Sequence, residues 1–427
     1  MSATFASLSN RNYKRYFIGL TTSNLGQWMA RTAQSWLVLV TLTGGNAGML
    51  GWMTTISFAP TLLLSPIAGS LADKVSKRTI MNCAAVLMGI DTLVLATLVL
   101  TDTVQLWHVF VLAGLDGVAA AFDGPARQAF VSEVVPLSML TNAISLNSAS
   151  FNGARLLGPG IAGFLIAVVD TGPVLLINVL SFAALIISLS MLKTSELHPA
   201  RAKGKGGLKE AIRYVGDRTD LKLLLFIAFM FGTFGFNGAI SNAVMATEAF
   251  HKGPGEYGLL GSWMGLGALA GALAAARRPR PRLRYVLEAM AGFAIVMCIS
   301  AIVPSYWMFA VLLVAVGYAS ITCIISANAL VQTSTDPAMR GRVMSLWGAL
   351  ILGGVPFVSP VIGWIGDAFG PRWTVAAQGI PIGITFVVVT LWVMRSDRLA
   401  VVIDRNKPAP WLRLVRGQVT EDVQIGR

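Results

Sequence analysis

Long apolar runs separated by short polar breaks dominate the chain. They fall at 16–41, 48–69, 79–100, 106–122, 144–168, 173–192, 222–247, 257–276, 285–303, 306–330, 343–365 and 373–394. A transmembrane helix needs about 20 mostly apolar residues, so the pattern predicts twelve spans and an all-α polytopic membrane protein. A membrane β-barrel would alternate apolar and polar positions in segments of about ten residues; these runs are continuous. The longest polar stretch, around Lys193 to Asp220, divides the spans six and six. It is rich in Gly and Lys from Ala202 to Gly207 and amphipathic from Leu208 to Val215, which predicts a flexible linker running into a short interfacial helix. The expected organisation is a six-helix bundle at 1–192, the linker at 193–221, a second bundle at 222–394 and a cytoplasmic tail at 395–427.

Composition sharpens this picture. Of 427 residues, 55% are hydrophobic and only 12% charged, with a mean hydropathy of +0.68. Soluble domains carry about 25% charged residues, so an ordinary soluble enzyme and a disordered chain are both excluded. The net charge of +13 has a location: 29 of the 33 Lys and Arg fall on the termini and on loops that would be inside. Lys252 and Arg372 fall outside, and Arg31 and Arg155 within spans. That bias orients a chain in the bilayer and removes the need to invoke nucleic acid. The first run follows Arg11, Lys14 and Arg15, is too long for a signal-peptide core and has no clear cleavage site. Cys83, Cys298 and Cys323 sit apart inside apolar runs, and the three histidines are scattered, so neither a metal nor a disulfide framework is expected. The sequence carries no phosphate-binding Gly-Lys-Ser/Thr loop, no Gly-x-Ser-x-Gly elbow and no His/Glu metal helix. An enzyme is not expected, and no cofactor.

The two sets of six runs echo each other. Gly48-Met-Leu-Gly51-Trp-Met returns as Gly258-Leu-Leu-Gly261-Ser-Trp-Met, Val131 to Leu146 as Val331 to Leu346, and Gly172-Pro173 as Gly370-Pro371. Offsets of 210, 200 and 198 residues point to duplication of a six-helix unit, and parallel repeats around a central site are a transporter design. Two further segments stand out: Gly69-Ser-Leu-Ala-Asp73-Lys74-Val-Ser-Lys77-Arg78 after span two, and Gly153-Ala-Arg155-Leu-Leu-Gly158-Pro159-Gly160-Ile-Ala-Gly163 in span five. On these the chain resembles the major facilitator superfamily over essentially its whole length. The first is similar to the superfamily's signature between helices two and three, with Ser76 where a glycine is usual; the second is similar to its antiporter motif. Phe122-Asp123-Gly-Pro125-Ala-Arg127-Gln and Arg340-Gly-Arg342-Val-Met resemble a narrower branch that includes enterobactin exporters and macrolide-efflux proteins. The superfamily often has an arginine in helix four where this chain has Ala113, so a proton-relay role for that arginine does not carry over. The resemblance implies the major facilitator fold, two pseudo-symmetric six-helix bundles.

The candidate chemistry falls into three groups. Asp73, with Lys74, Lys77 and Arg78 after Gly69, reads as a cytoplasmic latch, because a carboxylate there can bind a helix N-terminus or an arginine. Asp123 and Arg127, at (i, i+4), and Arg340 with Arg342 join it as gate candidates, against the plainer reading of positive-inside anchoring. Within the spans lie Arg31, Asp91, Asp116 and Arg155. A charge costs roughly 2.5–3.5 kcal/mol at a helix centre, and this set is neutral, so Asp116 is expected to pair with Arg31 or Arg155 and the four are candidates for ion coupling. Asn24, Gln27, Arg31 and Gln34 share one helical face, Ser148, Asn152 and Arg155 another, and Asn237 and Ser241 a third. Polar stripes face a cavity or protein rather than lipid, so these residues, with Trp28 beside the first stripe, are candidates for a substrate cavity. Gly158, Pro159 and Gly163 would let two helices approach closely and bend, forming a hinge.

The expectation is a secondary active transporter of the bacterial inner membrane, multi-pass, monomeric, with both termini cytoplasmic. Its partners would be a small-molecule substrate, protons and the lipid bilayer. The resemblance implies proton-coupled export, by alternating access, of an amphipathic organic molecule such as a siderophore or drug. The rivals are an uptake permease or lipid-handling transporter of the same fold, and a membrane sensor, which the short soluble segments disfavour.

Overall fold

The computed structural model describes residues 3–198, 208–278, 280–395, 400–403 and 412–415; the Gly/Lys stretch of the linker and most of the tail lie outside the described residues. A 3-10 turn, Ala3–Ser9, precedes α1 (Arg11–Trp36), which runs on as a π-helical turn, Leu37–Leu42. The first half continues with α2 (Ala47–Lys74), α3 (Lys77–Leu100), α4 (Leu106–Val134), α5 (Leu140–Val169) and α6 (Thr171–Ser190). The short α7 (Leu208–Gly216) comes next, where the amphipathic pattern puts it. The second half holds α8 (Thr219–Gly235), α9 (Gly238–Val244, extended by a π turn to Ala249), α10 (Pro254–Ala276), α11 (Leu283–Ile302), α12 (Tyr306–Ser334), α13 (Arg340–Gly353), α14 (Val355–Phe369) and α15 (Pro371–Arg395). In the tail, β1 (Ala400–Ile403) pairs antiparallel with β2 (Leu412–Val415).

Local chemistry sets the helix ends. Asn10 and Asn46 accept the Tyr13 and Met49 amides at 2.9 and 3.0 Å, and Asp170 accepts the Thr171 amide at 2.6 Å. Each bond satisfies an amide that a helix start leaves unpaired. Gly44, Gly45 and Gly370, at φ of 59°, 106° and 98°, make tight turns in the left-handed region that glycine enters without strain.

Among the described residues, eleven helices, with α8–α9 and α13–α14 each taken as one, are long and apolar enough to cross a membrane. The twelfth is α1 with its π turn; it is less apolar because Asn24, Gln27, Arg31 and Gln34 lie along it. Span seven breaks at Phe236–Asn237 and span eleven at Gly354, although the hydropathy pattern predicts both as uninterrupted runs. The breaks face each other: a β-carbon on Gly354 would overlap the Thr233 side chain, and one on Gly232 the Ile351 carbonyl.

In the first half α1 packs on α5 and α6, α2 on α4, and α3 on α4 and α6. In the second α10 packs on α12, α11 on α12 and α15, and α8 on α13 and α15. The halves meet along two seams, α2 with α14 and α5 with α10. Because the spans alternate in direction, the described loop residues 75–76, 135–139, 193–198, 217–218, 277–278, 280–282 and 335–339 share one end, here called the basic end. The far end carries 43–46, 101–105, 250–253 and 303–305.

Candidate substrate site and gates

The seams close at the far end. On α5, a β-carbon on Gly163 would overlap the Pro254 carbonyl, and one on Gly258 would overlap the Pro159 carbonyl, so α5 and α10 touch backbone to backbone. The Gly160 amide donates to Ser262 Oγ at 3.1 Å. On the other seam, Gly363 meets Ala47 and Gly48, and Gly51 meets Ser359 and Pro360, equally closely. Thr55 Oγ1 donates to the Pro356 carbonyl at 2.6 Å. The two seams are related by the sequence repeat, since Gly163 and Gly363 stand 200 residues apart and Gly48 and Gly258 stand 210 apart. One feature breaks that symmetry. Asp367 of α14 accepts the Ala47 amide at 2.7 Å through Oδ1 and the Gly48 amide at 2.8 Å through Oδ2, so a carboxylate from one half caps the positive N-terminus of a helix in the other. Of the hinge motif, Gly158 serves a different neighbour: its β-carbon would stand 2.6 Å from Trp28 Cβ on α1.

At the basic end the described bonds of the gate candidates do not cross between the halves. Lys77 pairs with Glu133 at 3.0 Å, and Arg78 donates to the Ser190 carbonyl at 3.1 Å. Arg340 donates to the Gln332 carbonyl at 3.0 Å, and Arg342 pairs with Glu210 of α7 at 2.8 Å. Lys74 is exposed, and a β-carbon on Gly69 would meet open space. Asp73 lies in α2, but its side chain is outside the described residues. Asp123 and Arg127 pair at 2.7 Å and are largely buried. Arg127 reaches Asn24 Oδ1 at 3.2 Å, and Asn24 donates to Ser150 Oγ at 3.1 Å, so this pair ties α4 to α1 and α5 inside the first half rather than across the gap. Arg218, before α8, is bidentate to Asp220, and that carboxylate raises its pKa above the usual arginine value.

Midway along the spans, Arg31 and Arg155 converge on one indole. Their guanidinium carbons stand 5.4 and 5.9 Å from the Trp28 ring centre, with Phe151 edge-on to the same ring at 5.8 Å. The expected ion pair is not formed: among the described residues neither arginine has a carboxylate within 4.0 Å. Gly158 lets α1 settle closely on α5 at this level, its β-carbon position being taken by Trp28 Cβ. Asp116 lies within electrostatic reach of Arg31, and Asp91 within reach of Asp116. Asp91 itself is buried on α3, with Oδ1 unpartnered.

The remaining polar stripes are partly spent inside the bundles. Gln27 donates to Ser23 Oγ and Asn152 to the Ser148 carbonyl, both along their own helix; Ser148 is exposed and Gln34 half-buried. Asn237 accepts from Ser359 Oγ at 2.6 Å, and Ser241 from Gln378 at 2.8 Å, so these two knit α9 to α14 and α15. Asp367, Glu133 and Gln378 escaped the sequence reading. Their partners are backbone amides or distant side chains that no helical spacing marks.

A family described as transmembrane secretion effectors has a profile that matches residues 2–419. The chain belongs to this family, within the major facilitator superfamily. Among superfamily members, the staphyloferrin A transporter of Staphylococcus aureus is 25% identical over 366 residues, covering 83% of this chain and 90% of that one. The multidrug efflux pump Tap of Mycolicibacterium fortuitum is 26% identical, with 86% and 92% covered. The enterobactin exporter EntS of Shigella boydii is 26% identical, with 86% of each covered. Solved structures give the fold alone. A POT family transporter bound to a thioalcohol-conjugated peptide superposes with a TM-score of 0.72 at 10% identity, over 90% of this chain and 96% of that one. A bacterial homologue of the lysosomal transporter Spinster, inward-facing and unoccupied, gives 0.63 at 14% identity over 89% and 94%. The chain is thus a multi-pass membrane transporter of this superfamily, and its relatives are named for siderophores and drugs.

Proposed function

We propose that this transporter is a proton-coupled exporter of an amphipathic organic molecule, working by alternating access in the bacterial inner membrane with its basic end in the cytoplasm. The observation that carries this reading is the asymmetry of the seams. Every described hydrogen bond between the halves lies toward the far end, while at the basic end Lys77, Arg78 and Arg340 are engaged within their own halves and Arg342 with the linker helix α7. Just below the seal lie Arg31 and Arg155, which among the described residues have no carboxylate within 4.0 Å. The basic loops assign their end to the cytoplasm by the positive-inside rule, and the hinge motif of α5 sits on the seam that must open.

In the cycle, substrate entering from the basic end displaces a proton from Asp116 into the cytoplasm. The far seams then part as the Asp73 motif closes the basic end, and substrate leaves as a proton from the far side returns to Asp116 and weakens the attraction between that carboxylate and Arg31. With no nucleotide-binding loop in the sequence, the uphill step draws on the proton gradient. The test uses everted membrane vesicles carrying the protein and a panel of enterobactin, staphyloferrin A and ethidium. Energised vesicles should accumulate at least one compound, its addition should dissipate the pH gradient, and an uncoupler should stop accumulation. Accumulation that ignores the uncoupler, or that demands ATP, overturns the coupling.

A further inference from the structure

We infer that Arg31, Trp28 and Arg155 form a clamp for an organic anion, so that the substrate carries a carboxylate or comparable acidic group beside a flat apolar body. This rests on the transport reading above and names its substrate class. Two guanidiniums beside one indole in a membrane protein need compensation. A structural role would supply a carboxylate, and among the described residues none lies within 4.0 Å of either arginine. Asp116, which Arg31 influences electrostatically, forms no ion pair with it among the described residues, and Asp123 is taken by Arg127 at 2.7 Å. Arg155 is left with the Trp28 ring at 5.9 Å, which supports a cation by roughly 0.5–2 kcal/mol, and among the described residues its guanidinium has no ion pair. Arginine binds carboxylates through two parallel hydrogen bonds, and an unpaired charge at this depth is strongly disfavoured, so an incoming anion fills a need that the fold leaves open.

The surroundings fit such a ligand. Arg31 is exposed although it lies well inside α1, and Phe151 is 47% exposed beside Trp28, so both cation and aromatic surface are accessible to a ligand. The clamp also abuts the seam: a β-carbon on Gly265 of α10 would stand 3.3 Å from the Arg155 carbonyl and 2.7 Å from Leu156 Cα. An anion held there lies against both halves, where its binding energy can bias their packing. A lipophilic cation, by contrast, would meet two like charges.

The test is binding to purified, detergent-solubilised protein at low ionic strength, read by titration calorimetry, with phthalate as a flat dianion. Dimethyl phthalate supplies the same body without charge, and tetraphenylphosphonium a lipophilic cation. Phthalate should bind saturably and dimethyl phthalate should not. Arg155→Gln and Arg31→Gln should each weaken phthalate at least tenfold, and Arg155→Lys should fall between wild type and Arg155→Gln. The lysine variant keeps the test valid if a glutamine variant does not fold. Absence of saturable phthalate binding by the wild type, unchanged binding by Arg155→Gln, or tighter binding of tetraphenylphosphonium overturns the proposal. A protein that moves a panel compound but ignores phthalate fails the clamp alone; one that binds phthalate through Arg155 but moves nothing fails the transport reading alone.

Discussion

Replacing Asp367 by alanine removes a carboxylate that, among the described residues, joins the halves through backbone amides alone. Both oxygens accept backbone amides, from Ala47 and Gly48, at 2.7 and 2.8 Å. A hydrogen bond to a charged group contributes about 1.5–3 kcal/mol, and loss of an N-cap about 0.5–2 kcal/mol. Asp367 is exposed, so solvent screens it and the combined loss is taken as about 1–2 kcal/mol. All of that loss falls on the state with the far end closed, because the contact cannot exist once the seam parts. The population ratio of closed to open should therefore fall about 5- to 30-fold. Starting from roughly 1% open, the open state would rise to about 5–25%. The assay is pulsed electron-spin distance measurement between labels on Thr103→Cys and Lys252→Cys, both exposed far-end positions in opposite halves, with Cys83, Cys298 and Cys323 replaced. A second, longer distance should grow in Asp367→Ala, and Asp367→Asn, which keeps an acceptor but no charge, should be intermediate. Distance distributions that superimpose on wild type in a folded Asp367→Ala protein would refute the latch.

Two further outcomes follow from the same geometry. Asp123→Asn or Arg127→Gln should each destabilise the detergent-solubilised protein by about 3–5 kcal/mol, because each strands a buried charge. The double change should cost less than the sum of the two, and strictly additive melting shifts would contradict the pairing. Asp73→Asn should leave the protein folded and inserted but sharply reduce vesicle accumulation, whereas normal transport would return the basic motif to simple anchoring.

The two-bundle fold was legible because each apolar run of about 20 residues can satisfy its backbone only as a helix in lipid. Shared repeat offsets then revealed the duplication, and the same offsets reappear in the glycines of both seams. What the hydropathy pattern hid were the breaks in spans seven and eleven. Asn237 and Gly354 interrupt helices without interrupting apolarity, so hydropathy passes over them. The charges were found but wrongly paired. A neutral count of two arginines and two aspartates suggests mutual compensation, yet Asp91 is buried on α3 while Arg31 and Arg155 converge on Trp28 between α1 and α5. Helical periodicity marks which residues share a face of one helix, not which helices meet. For the same reason Asn24, Asn237 and Ser241 read as cavity residues and are engaged in bonds within their bundles. Asp367 gave no signal at all, since its partners are amides 320 and 319 residues away.

Alternating access requires the α5–α10 seam to open in every cycle, and the structure provides a way to forbid it. A β-carbon on Gly160 would stand 3.6 Å from Ser262 Cβ, inside the range of about 3.5–4.5 Å that a disulfide spans. The decisive measurement is vesicle accumulation by a Gly160→Cys, Ser262→Cys protein lacking its three native cysteines, using a compound that wild type accumulates. Oxidation should abolish accumulation and reduction should restore it. Undiminished accumulation by fully cross-linked protein would contradict the account, because substrate would then cross without the far seam ever parting.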